Sequence, residues 1–96
     1  MAAKQNLAKK QIQERERNIV DGLKERGIRA EVELEKSGLP GKYRLYVISD
    51  DFEGLLEAER QSVIWKVLEE TWPRADQLRL TLTLALTKAE AAGSWN

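Results

Sequence analysis

Leu78, Leu80, Leu82, Leu84 and Leu86 alternate with Arg79, Thr81, Thr83, Ala85 and Thr87. A period of two sustained this long predicts a strand with an apolar side and a wetter side. It is the strongest pattern in the chain, and its leucine side is expected to be the sheet face on which helices pack. A second alternation, Ile28-Arg29-Ala30-Glu31-Val32-Glu33-Leu34-Glu35, predicts a half-buried strand. The turn residues Ser37-Gly38-Leu39-Pro40-Gly41 follow, and Lys42 to Ser49 resumes as a strand. That strand has Tyr43, Leu45 and Val47 on one face and Tyr46 and Ile48 on the other, which makes it the more central one. The two segments predict an antiparallel hairpin with a five-residue loop.

Helical spacing governs the rest. Ile12, Ile19, Val20 and Leu23 form a stripe over about Gln11 to Arg26, with Arg15 and Glu16 in its missing turn. Gly27 reaches positive φ freely and is placed to end that helix. Asp50-Asp51-Phe52-Glu53 carries helix-start chemistry, with Asp50 as the expected cap and Glu53 reaching back to it. Gly54 interrupts, so one short turn precedes the main helix, whose packing face is Val63, Ile64, Val67, Leu68 and Thr71. Pro73 ends this helix at Trp72. The order is α-β-β-α-α-β, a single α+β domain over residues 1–96 with a three-stranded mixed sheet and helices packed on one face. The stretch between the second and third strands is long enough for a parallel return. Residues 1–10 and 88–96 are expected to be flexible tails.

Composition narrows the chemistry. Without Cys there is no disulfide, thiol nucleophile or Cys-ligated cluster, and without His there is no Ser-His-Asp triad or imidazole ligand. Sixteen basic and sixteen acidic residues leave zero net charge, which argues against bulk electrostatic attachment to nucleic acid or anionic lipid. No stretch approaches the ~20 apolar residues of a membrane span. The start, Met1-Ala2-Ala3-Lys4-Gln5-Asn6, leads into charge rather than an apolar signal-peptide run. A cytoplasmic, non-catalytic binding protein with no cofactor and no metal is expected, with no membrane partner, as a monomer or weak homodimer.

The segment Val47-Ile48-Ser49-Asp50-Asp51-Phe52-Glu53-Gly54-Leu55-Leu56-Glu57-Ala58-Glu59-Arg60 resembles the signature of BolA-like proteins. Those proteins have a strand ending in Val-Ile-Ser or its equivalent, a Phe-x-Gly turn, and an acidic-Arg step into a helix. The flanking helix, hairpin and third strand match in order, over residues 12–87. The resemblance implies the fold that the family shares with type II KH modules, and a monothiol-glutaredoxin-like protein partner. The family's His after the Arg is Gln61 here, and its third-strand His falls near Asp76, Gln77 or Leu78. A family Cys or His in the hairpin loop corresponds to Ser37–Gly41. In the family, the strand His and the loop residue are the proposed ligands of a shared [2Fe–2S] cluster. Soft iron needs thiolate or imidazole donors, so docking without an iron ligand is what remains. The expected partner-binding residues are Arg60, Gln61, Trp65, Gln77 and Arg79.

An alternative function rests on charge asymmetry. Residues 1–29 hold eight Lys/Arg against four acids. Lys9, Lys10, Arg15 and Arg17, joined by Arg44, are the candidates for a nucleic-acid-binding regulatory protein on a KH-like frame. Gly38-Leu39-Pro40-Gly41 spells the G-x-x-G of the KH clamp but joins two strands, so turn chemistry explains it. The helix-to-helix position instead carries Phe52-Glu53-Gly54-Leu55, which is acidic. The cluster Asp50, Asp51, Glu53, Glu57 and Glu59 reads as helix capping, since it lacks the spacing of a hard-metal cage. Trp72 is expected to plug a core edge, Trp65 to border the core as a partner anchor, and Trp95 to lie in the tail.

Overall fold

The computed structural model describes residues 6–94; Lys4 and Trp95 lie outside the described residues. The elements are α1 (Lys9–Glu25), β1 (Glu31–Lys36), β2 (Tyr43–Ile48), a 3-10 turn (Asp50–Phe52), α2 (Glu57–Thr71), α3 (Arg74–Gln77), β3 (Leu80–Leu86) and α4 (Lys88–Ser94). β1 pairs antiparallel with β2, and β2 pairs parallel with β3, giving the order β1-β2-β3. The expected α-β-β-α-α-β order and three-stranded mixed sheet are therefore present.

Local chemistry explains the element ends. The Ala8 N–H donates to Gln11 Oε1 at 2.9 Å to start α1. Gly27, at φ 81°, ends it, with the Ile28 N–H reaching back to the Leu23 carbonyl at 2.9 Å. The polar gap in the α1 stripe is occupied by two fasteners. Arg15 pairs with Asp76 of α3 at 2.7 Å, and Glu16 accepts the Leu34 N–H of β1 at 2.8 Å. At the 3-10 turn the cap is Ser49, not Asp50. Ser49 is extended, at φ −154° and ψ 132°, and its Oγ accepts the Asp51 N–H at 3.1 Å.

The two expected tails are partly built into the fold. Asn6 Oδ1 accepts the Gly41 N–H at 3.0 Å, and the Leu7 N–H donates to Tyr43 Oη at 2.7 Å, so the start of α1 is tied to the hairpin. Beyond β3, Thr87 and Glu90 cap α4 reciprocally: the Glu90 N–H donates to Thr87 Oγ1 at 3.1 Å and the Thr87 N–H to Glu90 Oε1 at 2.9 Å.

The core forms where α1 and α2 lie on one sheet face. Ile19 and Leu23, then Leu34, Tyr43, Leu45 and Val47, then Phe52, Ile64, Val67 and Leu68 are buried together, closed by Trp72 and Ala85. Gly22 permits the close helix approach, because a Cβ there would overlap Val67 Cγ1. Trp72 plugs the edge and donates its indole N–H to the Arg15 carbonyl at 3.0 Å.

The leucine stripe does not face the helices. Tyr43 lies beside Leu80 but Arg44 lies beside Leu82, so Thr81 is an extra residue in β3. Its hydroxyl donates to the Tyr43 carbonyl at 3.1 Å and fills the interrupted ladder. One inserted residue reverses the side every later residue takes. Leu82, Leu84 and Leu86 thus share the face of Arg44, Tyr46 and Ile48, opposite Tyr43, Leu45 and Val47. Leu80 alone of the five leucines packs against the core, while Ala85, 1% exposed, takes the inward place.

Candidate protein-binding surface

The reversed stripe gives the side of the sheet away from α1 and α2 a distinct composition. Cross-strand register builds three rows: Glu31-Ile48-Leu86, Glu33-Tyr46-Leu84 and Glu35-Arg44-Leu82. Carboxylates therefore line one margin, leucines the other, and Tyr46 and Ile48 lie between. Leu82 is 45% exposed, Ile48, Leu84 and Leu86 are half-buried, and Tyr46 at the centre is buried at 9% exposure. A shallow groove runs over Glu33, Glu35, Arg44, Tyr46 and Ile48. Arg44 is held by Glu35 at 3.0 Å, while Glu31 and Glu33 are exposed with no basic partner among the described residues.

Both edges of the sheet are occupied by side chains. The Leu86 carbonyl of β3 accepts from the Ser49 N–H, so the carbonyls of Ala85 and Thr83 point the other way. Arg60 Nη1 donates to Ala85 O at 3.1 Å, and Gln61 Nε2 donates to Thr83 O at 2.9 Å. Glu90 of α4 grips Arg60 at 2.6 Å. That bond holds the Glu90 carboxyl below the usual range, helped by the Thr87 backbone N–H, and holds the Arg60 guanidinium further above its own. On the opposite edge Glu16 takes the Leu34 N–H. Adding a strand to either edge would have to displace these groups.

The five residues expected to bind a partner do not assemble into one exposed patch. Arg60 is buried, bonded also to the Leu55 carbonyl at 3.1 Å, with its guanidinium 5.8 Å from the Phe52 ring centre. Gln77 is buried and caps the end of α2 through the Trp72 carbonyl at 3.0 Å. Arg79 engages Asp76 at 3.3 Å and the Gly41 carbonyl at 3.2 Å. Gln61 and Trp65 are half-buried. Arg60 and Gln61 open α2, whereas Gln77 and Arg79 lie beyond its other end. These long side chains are turned inward because the fold leaves carbonyls that need donors.

The basic set is likewise divided. Lys9, Lys10 and Arg17 are exposed on α1, Arg15 is committed to Asp76, and Arg44 lies half-buried on the sheet face away from the helices. The acidic cluster acts through backbone N–H groups: Asp50 accepts from Lys88, Asp51 from Arg29, and Glu59 from Leu56 at 2.8 Å. Glu57 accepts the Gln61 amide. Among the described residues no cluster of three or more potential ligands is placed to hold a metal ion, and no helix is long and apolar enough to cross a membrane. Sequence reasoning missed Leu82, Leu84 and Leu86 as a surface. The usable signal was Tyr46 and Ile48, which already marked the second face of β2 as apolar. Comparison with family models, curated proteins and solved structures gives no match.

Proposed function

We propose that this chain is a non-catalytic protein-binding module that docks its partner on the sheet face opposite α1 and α2. The observation that carries this reading is the row of Leu82, Leu84, Leu86 and Ile48 on the sheet face opposite α1 and α2, with Leu82 45% exposed. Contiguous apolar surface on a small domain marks a contact site. The occupied edges favour docking on the face over strand addition. The margin of Glu31, Glu33 and Glu35 repels phosphate, which favours protein over nucleic acid here. The α-β-β-α-α-β order and parallel β2–β3 pairing support the BolA-like resemblance, and with it a monothiol-glutaredoxin-like partner as the specific form of this reading. With neither Cys nor His, the chain would dock without donating an iron ligand.

Affinity capture from native cell extract tests the proposal, run with and without nuclease on the wild-type chain and a Leu84→Glu variant. A protein that survives nuclease and is lost with the variant supports it. Retention abolished by nuclease, or unchanged by the variant, overturns it.

A further inference from the structure

We infer that copies of this chain associate head to tail, the basic end of one copy meeting the acidic end of the next. This goes beyond the docking reading and uses other surfaces. Strand and helix directions separate the charges. Asn6 and Leu7 bond to Gly41 and Tyr43, so α1 begins at the hairpin-loop end of the molecule. β1 finishes there, β2 and β3 start there, and α2 runs back to it, where the Trp72 indole meets the Arg15 carbonyl. Lys9, Lys10, Lys36, Lys42 and Arg74 are thereby gathered at one end, all exposed. Glu35 and Asp76 at that end are engaged, the first by Arg44 and the second by Arg15 and Arg79. Glu14 and Glu69 stand further back along α1 and α2. At the opposite end, where β2 and β3 finish, Asp50, Asp51, Glu53, Glu57 and Glu59 are exposed and outnumber Arg29 and Lys88.

Each end also carries exposed leucine. Leu39 is 62% exposed and Leu78 60%. Lys42 joins them: its backbone N–H donates to the Leu39 carbonyl and its ammonium to the Leu78 carbonyl, both at 3.1 Å. At the other end Leu56, 72% exposed, leads into α2 between Glu53 on one side and Glu57 and Glu59 on the other. An apolar centre with a charged rim is the composition of a contact surface, and the two rims here are opposite in sign. Zero net charge leaves no overall repulsion between copies. Like ends make poor mates, since they would oppose cations to cations or carboxylates to carboxylates. A contact between unlike ends is heterologous, so a pair still offers one free end of each kind and grows further. One or two leucines a side make a small interface, and therefore a transient one.

Sedimentation equilibrium of the full chain at up to about 1 mM provides the test. The average mass should rise past that of a dimer in about 0.02 M salt and fall towards the monomer in about 0.5 M salt. Lys36→Ser with Leu39→Ser blunts the basic end, and Glu53→Ser with Leu56→Ser blunts the acidic end. Each double variant alone should associate about five- to tenfold more weakly than wild type. An equimolar mixture of the two should recover the wild-type affinity but stop at a pair, because only one intact end of each kind remains. Leu84→Glu, on the sheet face, should associate as wild type does; a dispersed amide spectrum verifies the fold of each variant. A wild-type chain that stays monomeric, association that strengthens with salt, or a closed dimer that mixing does not recover overturns the head-to-tail inference and leaves sheet-face docking standing. Association abolished by Leu84→Glu also overturns it, by moving the self-contact to the sheet.

Discussion

Arg44 on β2 lies directly beside Leu82 on β3. Strict alternation from the Tyr43–Leu80 pair would set Thr81 there, so the pairing is one residue ahead. The consequence is measurable. Ala85 faces the core at 1% exposure and Leu82 faces out at 45%. Ala85→Leu should therefore overpack the core and cost about 1–3 kcal/mol. Leu82→Thr should change stability by only about 0.5 kcal/mol. Urea unfolding of the two variants checks this; the opposite ranking would return the leucines to the helix side.

That register step also marks the boundary of what the chain reveals by pattern. Period-two alternation located β3, but it assumes an unbroken ladder, and Leu and Thr are both good strand formers on either side of the bulge. Nothing local announces Thr81 as the extra residue. The hairpin, the two apolar faces of β2 and the α2 stop at Pro73 depend on neighbours in sequence, so they were legible. The Thr87-x-x-Glu90 box that starts α4 is equally local, though it lies in the stretch expected to be a tail. Arg60 and Gln77 were not legible as fasteners, because the carbonyls they satisfy come from Ala85, Leu55 and Trp72, which only the fold brings to them. A polar side chain read as available for a partner is one whose internal acceptor is still unknown.

Gly22 and Val67 set the distance between α1 and α2. An alanine at position 22 gains about 1 kcal/mol of helix propensity. Its Cβ, however, overlaps a core valine whose χ1 is stiff. Gly22→Ala should be destabilising on balance, by about 1 kcal/mol. Combined with Val67→Ala, the loss should fall short of the sum of the two single variants by about 0.5 kcal/mol or more. Chemical denaturation of the four-member cycle measures the coupling, and strict additivity would show that the helices separate freely.

Asp76 sits between two guanidinium groups. It is 8% exposed, 2.7 Å from Arg15 Nε and 3.3 Å from Arg79 Nε. Removing it leaves two like charges facing each other and detaches α3 from α1. Asp76→Ala should cost about 2–3 kcal/mol, more than a typical exposed pair, because both partners are largely shielded. Asp76→Asn should recover part of this by keeping an acceptor. Thermal unfolding distinguishes these outcomes from the small effect expected of a surface salt bridge.

Acid should loosen the attachment of α4. The Arg60 hydrogen bond, then the Thr87 backbone N–H, holds folded Glu90 below the ordinary glutamate range. A carboxylate so lowered contributes stability that is complete above its unfolded pKa and is lost as pH falls through its folded one. Arg60 is shifted upward and stays charged throughout, so Glu90 is the member of the pair that titrates. Glu90→Gln should thus lower stability near neutral pH and flatten the acid limb of a Tm-against-pH curve. A variant curve parallel to wild type across that limb would assign the acid dependence to other carboxylates.

Gln61 separates an internal role from a partner contact. Its amide donates to the Thr83 carbonyl at 2.9 Å and to Glu57 at 2.9 Å, covering part of the β3 edge. If that is its work, Gln61→Ala should cost about 1 kcal/mol of stability and leave binding at the sheet face intact. It should also expose an edge carbonyl and raise self-association, visible as concentration-dependent sedimentation. Leu84→Glu should do the reverse, sparing stability while abolishing capture of the partner. Loss of partner binding in Gln61→Ala at unchanged stability would move the contact surface from the sheet face to the start of α2.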